Sequence, residues 1–338
     1  NMTRTADADL GTKTLMWELD ESHAAELGHV LAAPEVGMLR DGTWVAIFGN
    51  GYESKSRRAQ LFVVDLATGK VLKTLDTGRG SMAEPNGLGG IKLLRDGNQV
   101  ITAAYAGDLH GNVWKFDLAS ERAAEWKVSL GGRPLFTTAD RRPVTAAPAL
   151  VPHPRGGTMV LIGTGKLFEV GDNKRPDTSR GQALPVESIY GLWDYTRLVS
   201  DEKGQRAWVD VRQKDKDGVP IARSTVKTRK LNVIGSRYLA QTPFDDKANG
   251  ILDWRKDSGW RIRLVDMIAL GGQRNIIAPQ LMSGLALFET MSPFVDEELG
   301  ACAANVNTPG FSLVVDPLSG LMSPKSLIDT NRDRKINE

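Results

Sequence analysis

The chain has 338 residues, with 43 Lys and Arg interleaved among 41 Asp and Glu for a formal net charge of +2. That balance leaves no basic stripe to release counterions from a phosphate backbone, which argues against nucleic-acid binding. The single cysteine, Cys302, rules out an intrachain disulfide and reads as a passive thiol; with no run of about eighteen apolar residues and no charged-then-apolar leader, neither a membrane span nor a signal peptide is expected in this stretch.

Period-two alternation broken by Gly, Pro, Asn and Asp predicts a succession of short strands. Thr14 to Leu19 reads as the fourth strand of a blade whose first three are missing. The first complete unit then runs through Ala33 to Leu39, Trp44 to Asn50, Gln60 to Leu66 and Val71 to Leu75, a four-stranded antiparallel meander. A second follows through Leu88 to Leu94, Gln99 to Tyr105, Asn112 to Leu118 and Trp126 to Leu130, with Asp96-Gly97 as a hairpin turn whose Gly supplies positive φ. A third starts at Ala147 to Val151 and Met159 to Gly165, and meets its third strand at Tyr190 after a polar insertion from Asn173 to Pro185.

The segment from Arg197 to Arg223 reads as a strand plus a long hairpin turning at Asp215-Lys-Asp-Gly218, and its part from Arg197 to Ile221 is a second insertion. Thr225 to Ile234, Tyr238 to Gln241 and Trp260 to Leu264 are expected to form a degenerate blade, and Ile277 to Leu281, Gly284 to Thr290 and Phe311 to Val315 the last. An apolar or aromatic pair followed by Asp and a turn recurs at Gln60 to Gly69, Asn112 to Asp117, Ile189 to Asp194 and Gly310 to Asp316, with a related strand at Gly259 to Leu264. Repetition at a period of about fifty residues is the mark of blades around an axis. The fold class is all-β: a modified β-propeller of mostly four-stranded antiparallel blades, some degenerate, over residues 12–328. The strand-like segments near the two ends suit a blade shared between termini or a chain lacking an upstream blade.

Several stretches resemble the C-terminal propeller of the PilC/PilY proteins, tip-associated adhesins of bacterial type IV pili. They are Ala46-Ile-Phe-Gly-Asn-Gly51, Tyr105-Ala-Gly-Asp-Leu-His-Gly-Asn-Val-Trp-Lys-Phe-Asp117, Thr145-Ala-Ala-Pro148 with Gly163 to Asp172, Tyr190-Gly-Leu-Trp-Asp194 and Asp253-Trp-Arg-Lys-Asp-Ser-Gly-Trp260, in family order across about three quarters of the chain. The resemblance implies the C-terminal domain of a longer exported protein, at the periplasm, outer membrane and cell surface. It implies a non-enzymatic role in pilus assembly and adhesion, favouring extension over retraction, with minor pilins and a host-cell or surface ligand as partners. The insertions at Asn173 to Pro185 and Arg197 to Ile221 are the candidate contact loops, since function concentrates in loops on a rigid frame.

Family members often carry a calcium loop before the Tyr-Ala-Gly-Asp stretch; here Leu94 to Gln99 is too short and has one carboxylate, whereas calcium takes six to eight oxygens. A better candidate is the tail, 329–338, where Asp329, Asn331, Asp333, the Lys335 carbonyl and Asn337 fall at the first, third, fifth, seventh and ninth positions of an EF-type loop. Against it, Arg334 stands where Gly is wanted, at a cost on the order of 1 kcal/mol for a left-handed backbone, and the chain ends before the twelfth position; the bland alternative is a polar tail. Asp245 to Asp253 and Asp215 to Gly218 read as turns, because Lys247 replaces a ligand in one and the other lacks a ninth-position acid.

The histidines, His23, His29, His110 and His153, form no metal-binding or nucleophilic pairing. His110 is expected on an exposed turn that Asp108 caps. An alternative reading, a quinoprotein-like enzyme holding pyrroloquinoline quinone, draws on the Asp65 to Lys70 turn, and a third makes the chain a purely structural docking scaffold. Trp17, Trp44, Trp114, Trp126 and Trp193 are expected to pack between blades.

Overall fold

The computed structural model describes residues 15–20, 24–174, 176, 180, 185–222, 225–234, 237–240, 250–264, 272–292 and 310–323. Among them the helical elements are turns of three or four residues, and no helix is long and apolar enough to cross a membrane. The chain divides into two compact units, 1–137 and 138–338.

In the first unit, β1 (Glu35–Met38), β2 (Trp44–Gly49), β3 (Gln60–Asp65) and β4 (Val71–Asp76) pair in chain order as an antiparallel meander, as the sequence predicts. Its inner strands read as nearly unbroken apolar runs because both faces are covered. Val45, Ile47, Leu61 and Val63 enter a core shared with the next sheet. On the opposite face Phe48 stacks on Phe62, ring centroids 5.7 Å apart, against Trp17, Leu19, Leu27 and Val30. The expected strand at Thr14 to Leu19 is therefore corrected: residues 15–20 form no strand. Their apolar side chains cover a sheet face instead, and Trp17 Nε1 donates to the Leu66 carbonyl at 2.8 Å.

The second sheet holds β5 (Leu88–Arg95), β6 (Ile101–Asp108), β7 (Asn112–Asp117) and β8 (Lys127–Val128), with β9 (Phe136–Thr137) also on β7. The fourth-strand place is split. β8 pairs with Phe116 and Asp117 and β9 with Asn112 and Val113, because Leu130, Gly131 and Gly132 all turn to positive φ between them and interrupt the single strand expected at Trp126 to Leu130. In the β5–β6 turn, Gln99 and not Gly97 takes the left-handed conformation. Asp96 Oδ1 pins that turn by accepting from the Asn98 and Val100 amides at 2.9 and 3.1 Å.

In the second unit β10 (Ala149–Pro152), β11 (Thr158–Gly163) and β12 (Ser188–Asp194) form the expected meander. There follow a hairpin of β13 (Thr196–Ser200) and β14 (Arg206–Asp210), then β15 (Thr225–Arg229), then a hairpin of β16 (Leu231–Ile234) and β17 (Arg237–Ala240). The strand β18 (Asp257–Arg263) is not grouped with those neighbours: it returns antiparallel to β12 as the fourth strand of that sheet, with β15 added parallel at its far side. The degenerate blade expected from Thr225 to Leu264 is thus an excursion inserted between the third and fourth strands of an existing sheet. Gly191 makes the return possible, because it stands opposite Trp260 and a Cβ there would lie 2.4 Å from the indole. The last sheet, β19 (Gln280–Met282), β20 (Leu285–Met291) and β21 (Gly310–Val315), is as predicted. Met159, Leu161, Trp193, Trp260, Phe288 and Val315 form one core between the β10–β11–β12–β18–β15 sheet and the β19–β20–β21 sheet.

Candidate functional site

In the first unit, polar anchors sit where the second strand of each sheet ends. Asp108, at the end of β6, is fully buried. Its Oδ1 accepts from the Asn112 amide at 2.8 Å, and its Oδ2 from Asn112 Nδ2 at 2.9 Å, Asn86 Nδ2 at 3.0 Å and Trp114 Nε1 at 2.8 Å. Asn86 in turn accepts the Gly87 and Leu109 amides. The Asp-x-x-x-Asn-x-Trp spacing is therefore a structural device: one carboxylate closes the β6–β7 hairpin and positions the loop before β5. Sequence reading gave Asp108 only the turn cap, although the spacing across a hairpin carried the rest.

Asn50, one residue past β2, does the same for its sheet, accepting from the Gln60 and Leu88 amides at 3.0 and 3.2 Å and donating to the Glu26 and Arg58 carbonyls. Beside it the Tyr52 phenol is pushed above its ordinary value by burial and, second, by the Asp108 charge. In the second unit the buried Glu187 accepts from Thr164 Oγ1 at 2.6 Å and from Arg142 Nε at 3.0 Å. Arg229 is also buried: its Nε and Nη1 donate to the Ser319 and Gly250 carbonyls, each at 2.7 Å. Desolvation pushes its pKa down to about 10, opposed by Asp257 and Asp316.

A cleft of about 470 Å³ opens in the second unit, within the usual size of a small-molecule site. The buried Trp193, at the end of β12, lines it, its Nε1 tied to the Gly156 carbonyl at 2.9 Å. Trp254 stands edge-on to Trp193, centroids 5.5 Å apart at 76°, and edge-on to His153, which stacks on Trp193 at 4.2 Å. Gln213, Asp253, Arg155 and Arg255 bring polar groups to the cleft. Asp253 Oδ1 takes Arg255 Nε at 3.0 Å, and that bond first among several holds the carboxylate below its usual range. Sequence reading missed this cleft, since His153, Trp193 and Trp254 come from three separated segments.

The expected sites fare unevenly. Asp329, Asn331, Asp333, Lys335, Asn337 and Cys302 lie outside the described residues, as do 175, 177–179 and 181–184 of the Asn173 to Pro185 insertion. Arg197 to Ile221 is described throughout: the β13–β14 hairpin is followed by the expected turn, where Asp215 Oδ1 accepts the Asp217 and Val219 amides at 2.9 Å. The hairpin between those strands turns earlier, at Asp201, whose Oδ1 accepts the Lys203 and Gln205 amides. Arg212 lies over the Tyr195 ring at 3.9 Å, fixed by Asp210. His110 is half-buried, its Nε2 3.0 Å from the Pro85 carbonyl. Trp114, Trp126 and Trp193 are buried, whereas Trp44, expected to pack between blades, is 55% exposed.

Comparison with known proteins matches residues 15–214 to the model of the PilY1 beta-propeller domain. The type IV pilus biogenesis factor PilY1 of Pseudomonas aeruginosa PAO1 is 31% identical over 96% of this chain, and a PilY1 homolog of Xylella fastidiosa is 27% identical over 94%. The chain spans only 28% and 20% of the length of those relatives. The crystal structure of the Pseudomonas aeruginosa PilY1 C-terminal domain superposes with a TM-score of 0.70 at 27% identity, covering 95% of this chain and 65% of that one. Blade-like meanders, the ordered family motifs and this match over more than half of the sequence agree: the chain belongs to the PilY1 beta-propeller family.

Proposed function

We propose that this chain is a non-enzymatic domain of a type IV pilus assembly factor, exported to the cell surface, where it docks minor pilins, favours extension over retraction and contributes to adhesion. The observation that carries this reading is the match to proteins named as pilus biogenesis factors along 96% of the chain. The chemistry of the buried acids supports a structural role: Asp108 and Glu187 are engaged by donors of the fold itself. The docking element in this reading is Arg197 to Ile221, because it leaves the sheet as an ordered double hairpin and carries the exposed Val219. Replacing it with a short turn is expected to lower retention of minor pilins in a pull-down by roughly tenfold, as loss of a central contact region does, while far-UV circular dichroism is retained. Unchanged retention would assign docking to another surface.

Calcium at Asp329, Asn331, Asp333, Lys335 and Asn337 stands as a proposal resting on the spacing of those oxygens. Calorimetric titration is expected to show saturable heat with calcium that Asp333→Ala abolishes. Absence of heat in the unsubstituted chain removes calcium from the account.

A further inference from the structure

The cleft bounded by Trp193 and Trp254 joins an aromatic edge of the second-unit core to an exposed polar rim. Its two indoles meet at 76°, making a corner and not a stack. Trp193 is 2% exposed and held by His153 and by its bond to Gly156, so it forms a rigid floor that fixes Trp254. Trp254 is only half-buried. The polar groups of the cleft are of both kinds: Asp253 accepts, Arg155 and Arg255 donate, and the exposed Gln213 does both. Asp253 raises the proton affinity of Arg255 and Arg255 lowers that of Asp253 through their mutual hydrogen bonds, so the pair is charged at ordinary pH.

We propose that this cleft binds a sugar ring of a glycan. An indole face is electron-rich and attracts the polarised C–H groups on the flat side of a pyranose, while a rim of mixed donors and acceptors satisfies hydroxyls that both give and take hydrogen bonds. Other ligand classes fit less well. A purely apolar ligand would leave the donors and acceptors of the exposed rim unused, and a phosphorylated ligand would bring its charge beside the Asp253 carboxylate. The volume of about 470 Å³ suits a small ligand or the end of a larger one, and is too small for a docked helix. Gln213 reaches the cleft from the Arg197 to Ile221 excursion, so the segment that interrupts the sheet also completes the site.

The test is a printed array of free glycans probed with the purified chain, followed by titration of the best-retained glycan against indole fluorescence. Saturable retention of at least one glycan class is expected, with binding weakened roughly tenfold by Trp254→Ala and severalfold by Gln213→Ala, in line with loss of one anchor and one rim contact. Gln213 is exposed and outside the core, so its variant keeps the test sound if Trp254→Ala unfolds. No retained glycan, or binding that ignores both substitutions, overturns the proposal. Pilin docking is measured separately on the unsubstituted chain of the same preparation, so a failure here leaves the pilus reading standing.

Discussion

Asp108→Ala is expected to destabilise the first unit by about 3–5 kcal/mol, the range found when one partner of a buried charged network is removed. The carboxylate accepts four hydrogen bonds, from the Asn112 backbone, two side-chain amides and the Trp114 indole, and is fully buried. Truncation leaves those donors without an acceptor in a place water does not reach, and each stranded donor costs about 1–3 kcal/mol before relaxation. Asn86 would also lose its orientation and, with it, its hold on the Gly87 and Leu109 amides. Asp108→Asn is milder, because its amide oxygen can replace part of the acceptor capacity while its NH₂ faces other donors. Urea unfolding of the whole chain followed by fluorescence and circular dichroism measures both variants. A loss below about 1 kcal/mol for Asp108→Ala, the worth of one ordinary hydrogen bond, would show that the network is not assembled as described.

Trp260→Ala is expected to cost the second unit about 3–5 kcal/mol, the usual range for deleting a buried aromatic ring. Trp260 is fully buried at the centre of β18, packs edge-on to Phe288 with centroids 6.4 Å apart, and donates its Nε1 to the Pro317 carbonyl at 3.0 Å. Two glycines are shaped around it: Gly191 on one side and Gly320, at φ +69°, on the other, where a Cβ would lie 2.4 Å from the ring. A neighbourhood built to admit an indole cannot close over its absence, so the cavity term is expected near the top of its range. Trp260→Phe separates the contributions, since it retains much of the ring packing and strands only the Pro317 carbonyl. Equal losses for Ala and Phe in the same urea experiment would mean that the hydrogen bond, not the packing, holds the strand.

The parts of the fold legible in the sequence are those whose causes are local. The β3–β4 turn is announced by Asp65, which accepts from the Thr68 amide and hydroxyl, and the same Asx chemistry at Asp96 and Asp215 marks two further turns. The partnership of β18 with β12 was not legible, because a strand pattern reports a covered face and says nothing about which distant edge completes its ladder. The same gap explains Trp17 and Leu19, apolar residues that cover a face without joining a ladder. The family motif from Tyr105 to Asp117 announced a turn, and its geometry is a four-donor network about Asp108. The Trp193–Trp254 corner lay beyond sequence reading, since it exists only once the end of β12 meets segments distant in the chain.

The central claim is that this domain serves pilus assembly. Surface pili are to be sheared from cells whose parent gene lacks the segment encoding these 338 residues, and the released pilin compared with total cellular pilin by immunoblot. The account predicts surface pilin close to that of a strain without the parent gene, at unchanged total pilin, and restoration by the intact segment but not by its Asp108→Ala form. Normal surface pilin in the deletion strain, at unchanged total pilin, would contradict it.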